Sequence, residues 1–288
     1  LSRSSSANHV KWIFVENPTL FCASPIAKLD NEGNVTLSCP TFGSEIRFTA
    51  DGKNPDTEGA TTNTYNTESW SPSTQALIKA VARLKSNTTV VSQDGITILN
   101  NPDVTLSQDT YTYNGTAQAP AIGEMEVSIT INSEKTTAPS GTYEIDECVN
   151  NTNVGSPSSE NPPTVKLKDV AGDNWYVWNA SKTFTINPAP VTVTANDMTK
   201  EYGTDDPEWT ATVAGMQNDE STDLISYTIS RTESGEDVGG TYAITPTGVA
   251  AQGNYTVTYV PGSLTITRKA VTVTADDKTK TYGKTDPD

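Results

Sequence analysis

The sequence predicts an all-β chain of tandem small β-sandwich or Ig-like modules in an elongated array. Short segments with alternating apolar and polar residues recur along the 288 residues, separated by turns rich in Gly, Asn, Asp and Pro. The segment Val-Thr-Val-Thr-Ala occurs at residues 191–195 and again at residues 271–275, which indicates a repeated module. The junctions at residues 187–190 and 267–270 are short, and the first contains two prolines, so we expect stiff connections.

The composition limits the partners of the chain. Its 35 acidic and 19 basic residues give a formal net charge of −16, which would repel phosphate backbones, so we expect no nucleic-acid partner. The acidic residues are scattered and predict a solvated exterior. No run of about 18 apolar residues is present, so the sequence predicts no membrane span. We expect a monomer.

A first module is predicted over residues 10–99, after a polar and flexible leader at residues 1–9. An Asp-Gly pair at residues 51–52 follows an alternating segment and predicts a tight reversal. Residues 76–82, Ala-Leu-Ile-Lys-Ala-Val-Ala, contain strong helix formers, and a helix is therefore one alternative. The segment is short and its surroundings are rich in strands, which favours a buried strand.

This module carries a family resemblance. The segments Ile-Arg-Phe-Thr-Ala-Asp-Gly at residues 46–52, Asn-Pro-Asp at 54–56 and Ile-Lys-Ala-Val-Ala at 78–82 resemble the chitobiase/β-hexosaminidase C-terminal module. Phe48 stands where that family has Tyr. The resemblance implies a small β-sandwich that is appended to secreted bacterial proteins and has no catalysis of its own.

A second module is predicted over residues 100–187. Its alternating segments and an Asn-Gly turn at residues 114–115 predict about seven strands, the number in an Ig-like sandwich. The pattern Tyr-x-Tyr-Asn-Gly-Thr-Ala-Gln-x-Pro that starts at Tyr111, with Thr-Phe-Thr-Ile at residues 183–186, is similar to the Ig-like repeats of bacterial surface proteins.

A third module is predicted over residues 188–268, with one helical turn at residues 218–224 capped by its own Asn or Asp. A Tyr-Gly pair near its start, a later Gly-x-Tyr-x-Ile and a final Asn-Tyr belong to one pattern, whose residues are Tyr202, Gly203, Pro207, Gly215, Asp219, Gly240, Tyr242, Ile244, Asn254, Tyr255 and Leu264. With this pattern the module resembles the MBG domain of bacterial adhesins, which implies a repeated extracellular segment without an active site. A β-grasp-like fold is an alternative to a sandwich.

Residues 269–288 repeat the start of the third module and predict a further MBG-like repeat. Because a copy of this length cannot close a core of its own, we expect it to pack on the third module or on a neighbouring molecule. We also expect the chain to be part of a longer protein, so that a secretion signal and a surface anchor could lie outside it.

Catalytic and metal-binding groups were sought and not found in the sequence. His9 is the single histidine, which leaves no imidazole for a Ser-His-Asp or Cys-His arrangement or for a zinc cluster. Neighbouring acidic residues such as Asp205 and Asp206 are better explained by turns than by a glycosidase pair. We therefore expect no enzyme, no catalytic residue, no metal site and no cofactor. A structural calcium ion is the alternative, on Asp51, Asp56 and Glu58 or on Asp205 and Asp206.

Two covalent links are open alternatives in the sequence. Cys22 and Cys39 are close enough to bridge adjacent strands, or they are two buried thiols that act as small hydrophobic residues. Lys200 and Lys280 occupy the same place in the repeat and are candidates for an internal Lys–Asn cross-link, which would need a buried Lys, Asn and carboxylate.

The aromatic residues Trp175, Tyr176 and Trp178 are the candidate ligand-binding residues, because an exposed aromatic face can stack on a sugar ring. In a strand, Trp175 and residue 177 face one side while Tyr176 and Trp178 face the other, so we expect one pair to line the core. Packing in the core or between modules is the alternative role for all three.

The sequence thus leads to a function hypothesis with two rivals. The chain is expected to be a non-enzymatic extracellular segment of a bacterial cell-surface protein, an adhesin stalk or display module. The first rival is a set of carbohydrate-binding accessory modules of a secreted glycan-active protein, and the second is a hydrolase with converging carboxylates. A host or environmental glycan or protein is the expected partner.

Overall fold

The computed structural model describes residues 2–6, 9–13, 22–29, 35–56, 63–65, 75–85, 87–92 and 94–288. The fold is all-β, as the sequence predicts. Two compact units divide the chain: Leu1–Tyr111 with Ala117–Asn187, and Thr112–Thr116 with Pro188–Asp288. Within the residues that the model describes, no helix has the length and apolar character needed to cross a membrane.

The first unit contains short strands in several small sheets. Its β1, within the predicted leader, pairs antiparallel with β2. Its strands are β1 (Ser2–Ser6), β2 (His9–Ile13), β3 (Ile26–Leu29), β4 (Val35–Ser38), β5 (Ser44–Thr49), β6 (Asn63–Thr64), β7 (Ala76–Leu84), β8 (Asn87–Val91), β9 (Ile96–Asn100), β10 (Asp103–Leu106), β11 (Thr110–Thr112), β12 (Met125–Ile131), β13 (Glu134–Thr137), β14 (Tyr143–Val149), β15 (Thr164–Asp169), β16 (Trp175–Trp178), β17 (Ala180–Thr183) and β18 (Thr185–Asn187).

A mixed sheet organises the N-terminal part of this unit, with strand order β16-β9-β7-β5-β6 and β8 beside β7. Strand β7 is the one whose residues left a helix open as an alternative, and it is buried along most of its length. Burial on both faces explains its continuous apolar run, because a central strand needs no alternation. One edge is β16, which joins from the predicted second module by parallel pairing with β9.

The rest of the first unit forms smaller antiparallel sheets, with orders β10-β12-β13 and β14-β15-β17, and a β11-β18 pair. Phe184, between β17 and β18, is almost completely buried. Its ring meets the edge of Tyr111 with 5.6 Å between centroids, so the two rings pack in the preferred T-shaped geometry.

In the second unit the repeated segment at residues 191–195 forms a strand, as the sequence predicts. Two four-stranded sheets follow the orders β21-β19-β25-β24 and β20-β26-β23-β22. The strands are β19 (Ala189–Ala195), β20 (Met198–Glu201), β21 (Ala211–Ala214), β22 (Thr228–Arg231), β23 (Thr241–Thr247), β24 (Ala251–Gln252), β25 (Tyr255–Val260) and β26 (Gly262–Thr267). Val191 and Val193 are buried while the threonines between them are less so, which is the alternation that the sequence shows.

Apolar side chains from both sheets of the second unit meet in one core. The buried cluster comprises Ala195, Tyr242, Ile244, Leu264 and Ile266, with Met198, Trp209 and Ile229 packed against it. The predicted helical turn is a 3-10 turn at Thr222–Leu224. Its cap is Ser221, whose side chain accepts a hydrogen bond from the Asp223 N–H, and not one of the Asn or Asp residues.

Residues 269–288 do not pack on the third module, and the other expectation, packing on a neighbouring molecule, stays a prediction. They form no strand and are exposed throughout, in contrast to the buried Val191 and Val193 of the first copy. Their conformation is local: Lys284 donates its N–H to the Thr281 carbonyl, and Lys280 pairs with Asp286. The segment holds valines at positions that the core of the first copy covers, and here no β25 or β21 equivalent lies beside them.

Candidate functional site

A cluster of four charged side chains lies at one end of the second unit. We name Lys200, Asp206, Arg231 and Glu236 the charged cluster. The Lys200 Nζ lies 2.7 Å from Asp206 Oδ1 and 2.8 Å from Glu236 Oε1. The Arg231 Nη1 lies 3.0 Å from the same oxygen of each carboxylate. Each carboxylate therefore bridges the two cations.

The backbone places these four groups together. Lys200 is on β20 and Arg231 ends β22, and the two carboxylates come from the loops that follow these strands. Lys200 also donates to the Thr204 carbonyl at 3.1 Å, and Arg231 Nη2 donates to the Gly235 carbonyl. The guanidinium carbon of Arg231 lies 4.6 Å from the centre of the Tyr242 ring, within the range of a cation–π contact.

The cations of the charged cluster are buried and the carboxylates are at the rim. The Lys200 side chain is 6% exposed and the Asp206 side chain 36%. Together with Tyr202, Thr232 and their neighbours they line an open cleft of about 700 Å³. The Nε atom of Arg231 is buried and has no hydrogen-bond partner among the described residues, where the guanidinium is held through its two terminal nitrogens.

The protonation states follow from these contacts. The hydrogen bonds from Lys200 and, more weakly, from Arg231 hold the pKa of Asp206 below its ordinary value, although burial opposes this shift. Hydrogen bonds from Lys200 and Arg231 likewise lower the pKa of Glu236, and the two carboxylates raise the pKa of Lys200. All three groups therefore stay charged near neutral pH, which suits an ion-pair network and is unsuited to proton transfer.

We expect no cross-link at Lys200. The structure places carboxylates beside its Nζ, and amide formation would require a neutral amine to attack the Asp206 Cγ while a protonated carboxyl group loses water. Both protonation states are opposed by the directions of the pKa shifts. The intact mass of the denatured chain should equal that of the sequence, and Lys200→Ala should change it by the substitution alone. A deficit of one ammonia molecule, as for a Lys–Asn link, or of one water molecule, as for a Lys–Asp link, that disappears in Lys200→Ala would contradict this.

The stability of the second unit should depend on pH at both extremes. Asp206 and Glu236 have lowered pKa values, so their contribution is present above the ordinary pKa of about 4 and is lost as pH falls through the lowered values. The raised pKa of Lys200 gives a contribution present below about 10.4 and lost as pH rises through the raised value. Hydrogen exchange of peptides from β26 should be slowest between about pH 5 and 9, after correction for intrinsic exchange. Unchanged protection down to about pH 2 would contradict the acid limb.

The sequence-predicted aromatic residues lie on β16 in the first unit. Trp178 is buried in the apolar core formed with β5, β7 and β9, and Tyr176 packs against the same core. Their rings are tilted, with centroids 5.7 Å apart, and the Tyr176 Oη accepts a hydrogen bond from the Ala27 N–H at 3.3 Å. Trp175 is partly exposed. The strand alternation thus puts Tyr176 and Trp178 on one side, as predicted, and their ligand-binding role stays a prediction.

An open cleft of about 420 Å³ adjoins these rings. Burial raises the pKa of the Asp169 carboxyl despite the hydrogen bond that it receives from the Trp178 side chain. The cleft is lined by Ala27, Lys28, Leu167, Lys168, Asp169, Tyr176, Val177, Trp178 and Asn179. It therefore combines one partly exposed phenol ring with lysine, carboxylate and amide groups.

The loop carboxylates considered for calcium have other partners. Asp51 accepts from the Lys53 N–H at 3.2 Å, Asp56 lies 3.4 Å from Arg47, and Asp206 belongs to the charged cluster. Glu58 lies outside the described residues. Across the part of the chain that the model describes, no three His, Cys, Asp or Glu side chains are grouped so as to hold a metal ion.

The cysteines are free thiols in the structure. Cys22 is buried, and Cys39 donates its Sγ–H to the Ala23 carbonyl at 3.3 Å. Cys148 is also free and partly buried. Burial, with the neighbouring Cys39, raises the pKa of the Cys22 thiol. The structure thus has two free thiols and not the disulfide, and of the two only Cys22 is fully buried, whereas Cys39 is partly buried.

One comparison bears on the second unit. Residues 191–265 match the MBG domain (YGX type). The matched range includes all four residues of the charged cluster. The resemblances proposed for residues 10–99 and 100–187 remain predictions.

No curated protein matches the sequence. One solved structure that resembles the chain is that of the M60 catalytic domain with the CBM51-1 and CBM51-2 domains from Clostridium perfringens ZmpB, at 9% identity and a TM-score of 0.19. That alignment covers 91% of this chain, which spans only 40% of the other.

Sequence reasoning did not bring the charged cluster in the MBG-matching region together. It singled out Lys200, explained Asp206 and Glu236 as turn residues, and overlooked Arg231. A signal was present, because the same Lys and Asp spacing returns as Lys280 and Asp286, which form an ion pair in the structure. Arg231 and Glu236 come from a strand and a loop that are distant in sequence from Lys200, so no local spacing of residues predicts their contact with it.

Proposed function

We propose that this chain is a non-enzymatic, extracellular segment of a bacterial cell-surface protein, in which the β-modules space and display an adhesive part. The match of residues 191–265 to the MBG domain carries the proposal. The sequence of its first strand recurs at residues 271–275, and this repeat supports the proposal because tandem copies of one module are suited to building a spacer.

The chemistry of the charged cluster is in keeping with this role. Its four groups neutralise one another, and the cations that could contact a substrate are buried beneath their partners. Such a network fixes two loops against two strands and offers no group poised near neutral pH for proton transfer.

A replacement experiment in the native protein tests the display role. Deleting residues 188–268 should reduce attachment of cells to their target while the amount of protein on the cell surface stays the same. Substituting an unrelated β-module of similar length should restore attachment, because a spacer contributes length and not specific contacts. Failure of the unrelated module to restore attachment, with normal surface amounts, would contradict the proposal.

Carbohydrate binding is a second candidate, favoured by the cleft beside Tyr176. An aromatic ring next to amide and charged groups is a common arrangement at sugar sites, where stacking and hydrogen bonds act together. Wild-type chain should bind at least one glycan on an array, and Tyr176→Ala should weaken that binding about tenfold, which is about 1.4 kcal/mol. Trp175→Ala is the matched control, because Trp175 is on the same strand and does not line the cleft. Equal losses in both variants, or no binding by the wild type, would count against this candidate.

A further inference from the structure

A second group of interactions in the second unit surrounds Tyr113. This residue belongs to the segment Thr112–Thr116, which forms part of that unit. Its ring is 4% exposed. Its hydroxyl donates to Glu220, and the Tyr255 hydroxyl donates to the other oxygen of the same carboxylate at 2.7 Å. The two rings meet edge to face with centroids 5.5 Å apart. We name Tyr113, Glu220 and Tyr255 the tyrosine clasp.

Gly115, two residues after Tyr113, forms a second contact with the loop that holds Glu220. Gly115 has a φ of +75°, and a Cβ on it would lie 2.4 Å from the Asn218 Cβ. Asn218 donates its Nδ2 to the Gly115 carbonyl at 3.1 Å. A side chain at this position would be excluded both by the backbone conformation and by the close approach of Asn218.

A tyrosine at the end of a strand, with a positive-φ glycine close behind it, occurs a second time in the chain, although Gly115 is the second residue after Tyr113 and Gly203 is the first after Tyr202. Strand β11 leads into Tyr113, and β20 leads into Tyr202 and Gly203, whose φ is +78°. The strands beside them also correspond: β11 pairs with β18, which reads Thr-Ile-Asn, and β20 pairs with β26, which ends in Thr-Ile-Thr. Tyr202 therefore holds the place that Tyr113 holds one module earlier.

The two turns differ in what covers them. Tyr202 is 49% exposed, whereas Tyr113 is buried. A Cβ on Gly203 would have no described atom within 4 Å. A Cβ on Gly115, in contrast, would clash with the Asn218 side chain. The outer side of the Tyr202 turn is thus open.

We propose that the Tyr202–Gly203 turn is an interaction surface for another MBG-like module, one that presents a carboxylate and a tyrosine in the places of Glu220 and Tyr255. The occupant that the chain itself indicates is a completed copy of the repeat that begins at residue 269, because the first copy is the module that receives Tyr113. The phenol would donate a charge-assisted hydrogen bond to the carboxylate, and the rings would pack edge to face. This inference concerns pairing between modules and does not depend on where the protein is located.

The test extends the full chain. Residues 209–268 are added after Asp288, so that the copy begun at residue 269 is completed, and surface tyrosines are nitrated with tetranitromethane and mapped by mass spectrometry. In the original chain Tyr202 should react readily and Tyr113 slowly. In the extended chain Tyr202 should react about tenfold more slowly, a protection that corresponds to about 1.4 kcal/mol. Tyr282 is fully exposed and occupies the same place in the added copy, so it should react in both chains.

A matched pair of substitutions identifies the contact. Glu220→Ala in the original copy should speed nitration of Tyr113 and leave Tyr202 protected. The same substitution in the added copy should speed nitration of Tyr202 and leave Tyr113 protected. The proposal is overturned if Tyr202 in the extended chain reacts as fast as in the original chain, whether the added copy folds or not, or if both substitutions leave Tyr202 equally protected.

Discussion

Replacement of Leu264 by alanine is expected to lower the free energy of unfolding of the second unit by about 2–5 kcal/mol, the usual cost of truncating a buried leucine. Leu264 is completely buried on β26, among Tyr242, Ile244 and Ile266. The two sheets of the unit meet at this point, so neighbouring side chains cannot collapse into the space without moving a strand. Urea unfolding followed by hydrogen exchange of peptides from β23 and β26 measures the loss.

Leu224→Ala is the matched control for this prediction. Leu224 lies at the 3-10 turn of the same unit and is exposed. The substitution therefore deletes the same side-chain atoms as Leu264→Ala, but from the surface and not from a core. Its effect should stay within about 0.5 kcal/mol. Similar losses in the two variants would show that the second unit has no core where the structure places one.

The second large effect is expected at Phe184 in the first unit. Phe184→Ala should lower the free energy of unfolding of the first unit by about 3–5 kcal/mol. The substitution deletes a buried aromatic ring and with it the edge-to-face contact to Tyr111. Exchange of the amides of β15 and β17 reports the loss. Phe42 is fully exposed, so Phe42→Ala should leave exchange unchanged. Protection that survives in Phe184→Ala would contradict the assigned packing.

Most of the strands were predicted from the alternation of apolar and polar residues with a period of two. The strand β19 follows from its alternating Val and Thr residues, and its recurrence gave the start of the third module. Residues 76–82 were harder, because alanine, leucine and lysine favour a helix in isolation. Their neighbours decide the outcome: β7 lies between β5 and β9, and burial on both faces favours an extended strand over the local preference.

The pairing of distant strands could not be predicted from the sequence. Trp178 belongs to the predicted second module, yet parallel pairing of β16 with β9 places it in the core built by the first. The sequence gives the alternation along β16 and nothing about the strand beside it. Tyr113 is a similar case, because its partner Glu220 is far along the chain and a single carboxylate in a loop has no distinguishing pattern.

The site predictions divide in the same way. The absence of a histidine pair is visible in composition, whereas the charged cluster depends on Arg231 and Glu236 reaching Lys200 across two loops. Residues 269–288 show the limit of reasoning from a repeat. Their sequence copies β19, but the strand is stable only where β21 and β25 supply hydrogen bonds and cover its valines.

The most direct test of the proposed function is the location of the second unit in living cells. Antibodies raised against the folded chain are applied to intact and to permeabilised cells of the native organism, with and without protease added outside. Labelling of intact cells that external protease removes is the result expected for an extracellular surface segment. Labelling that appears only after permeabilisation and survives external protease would contradict it.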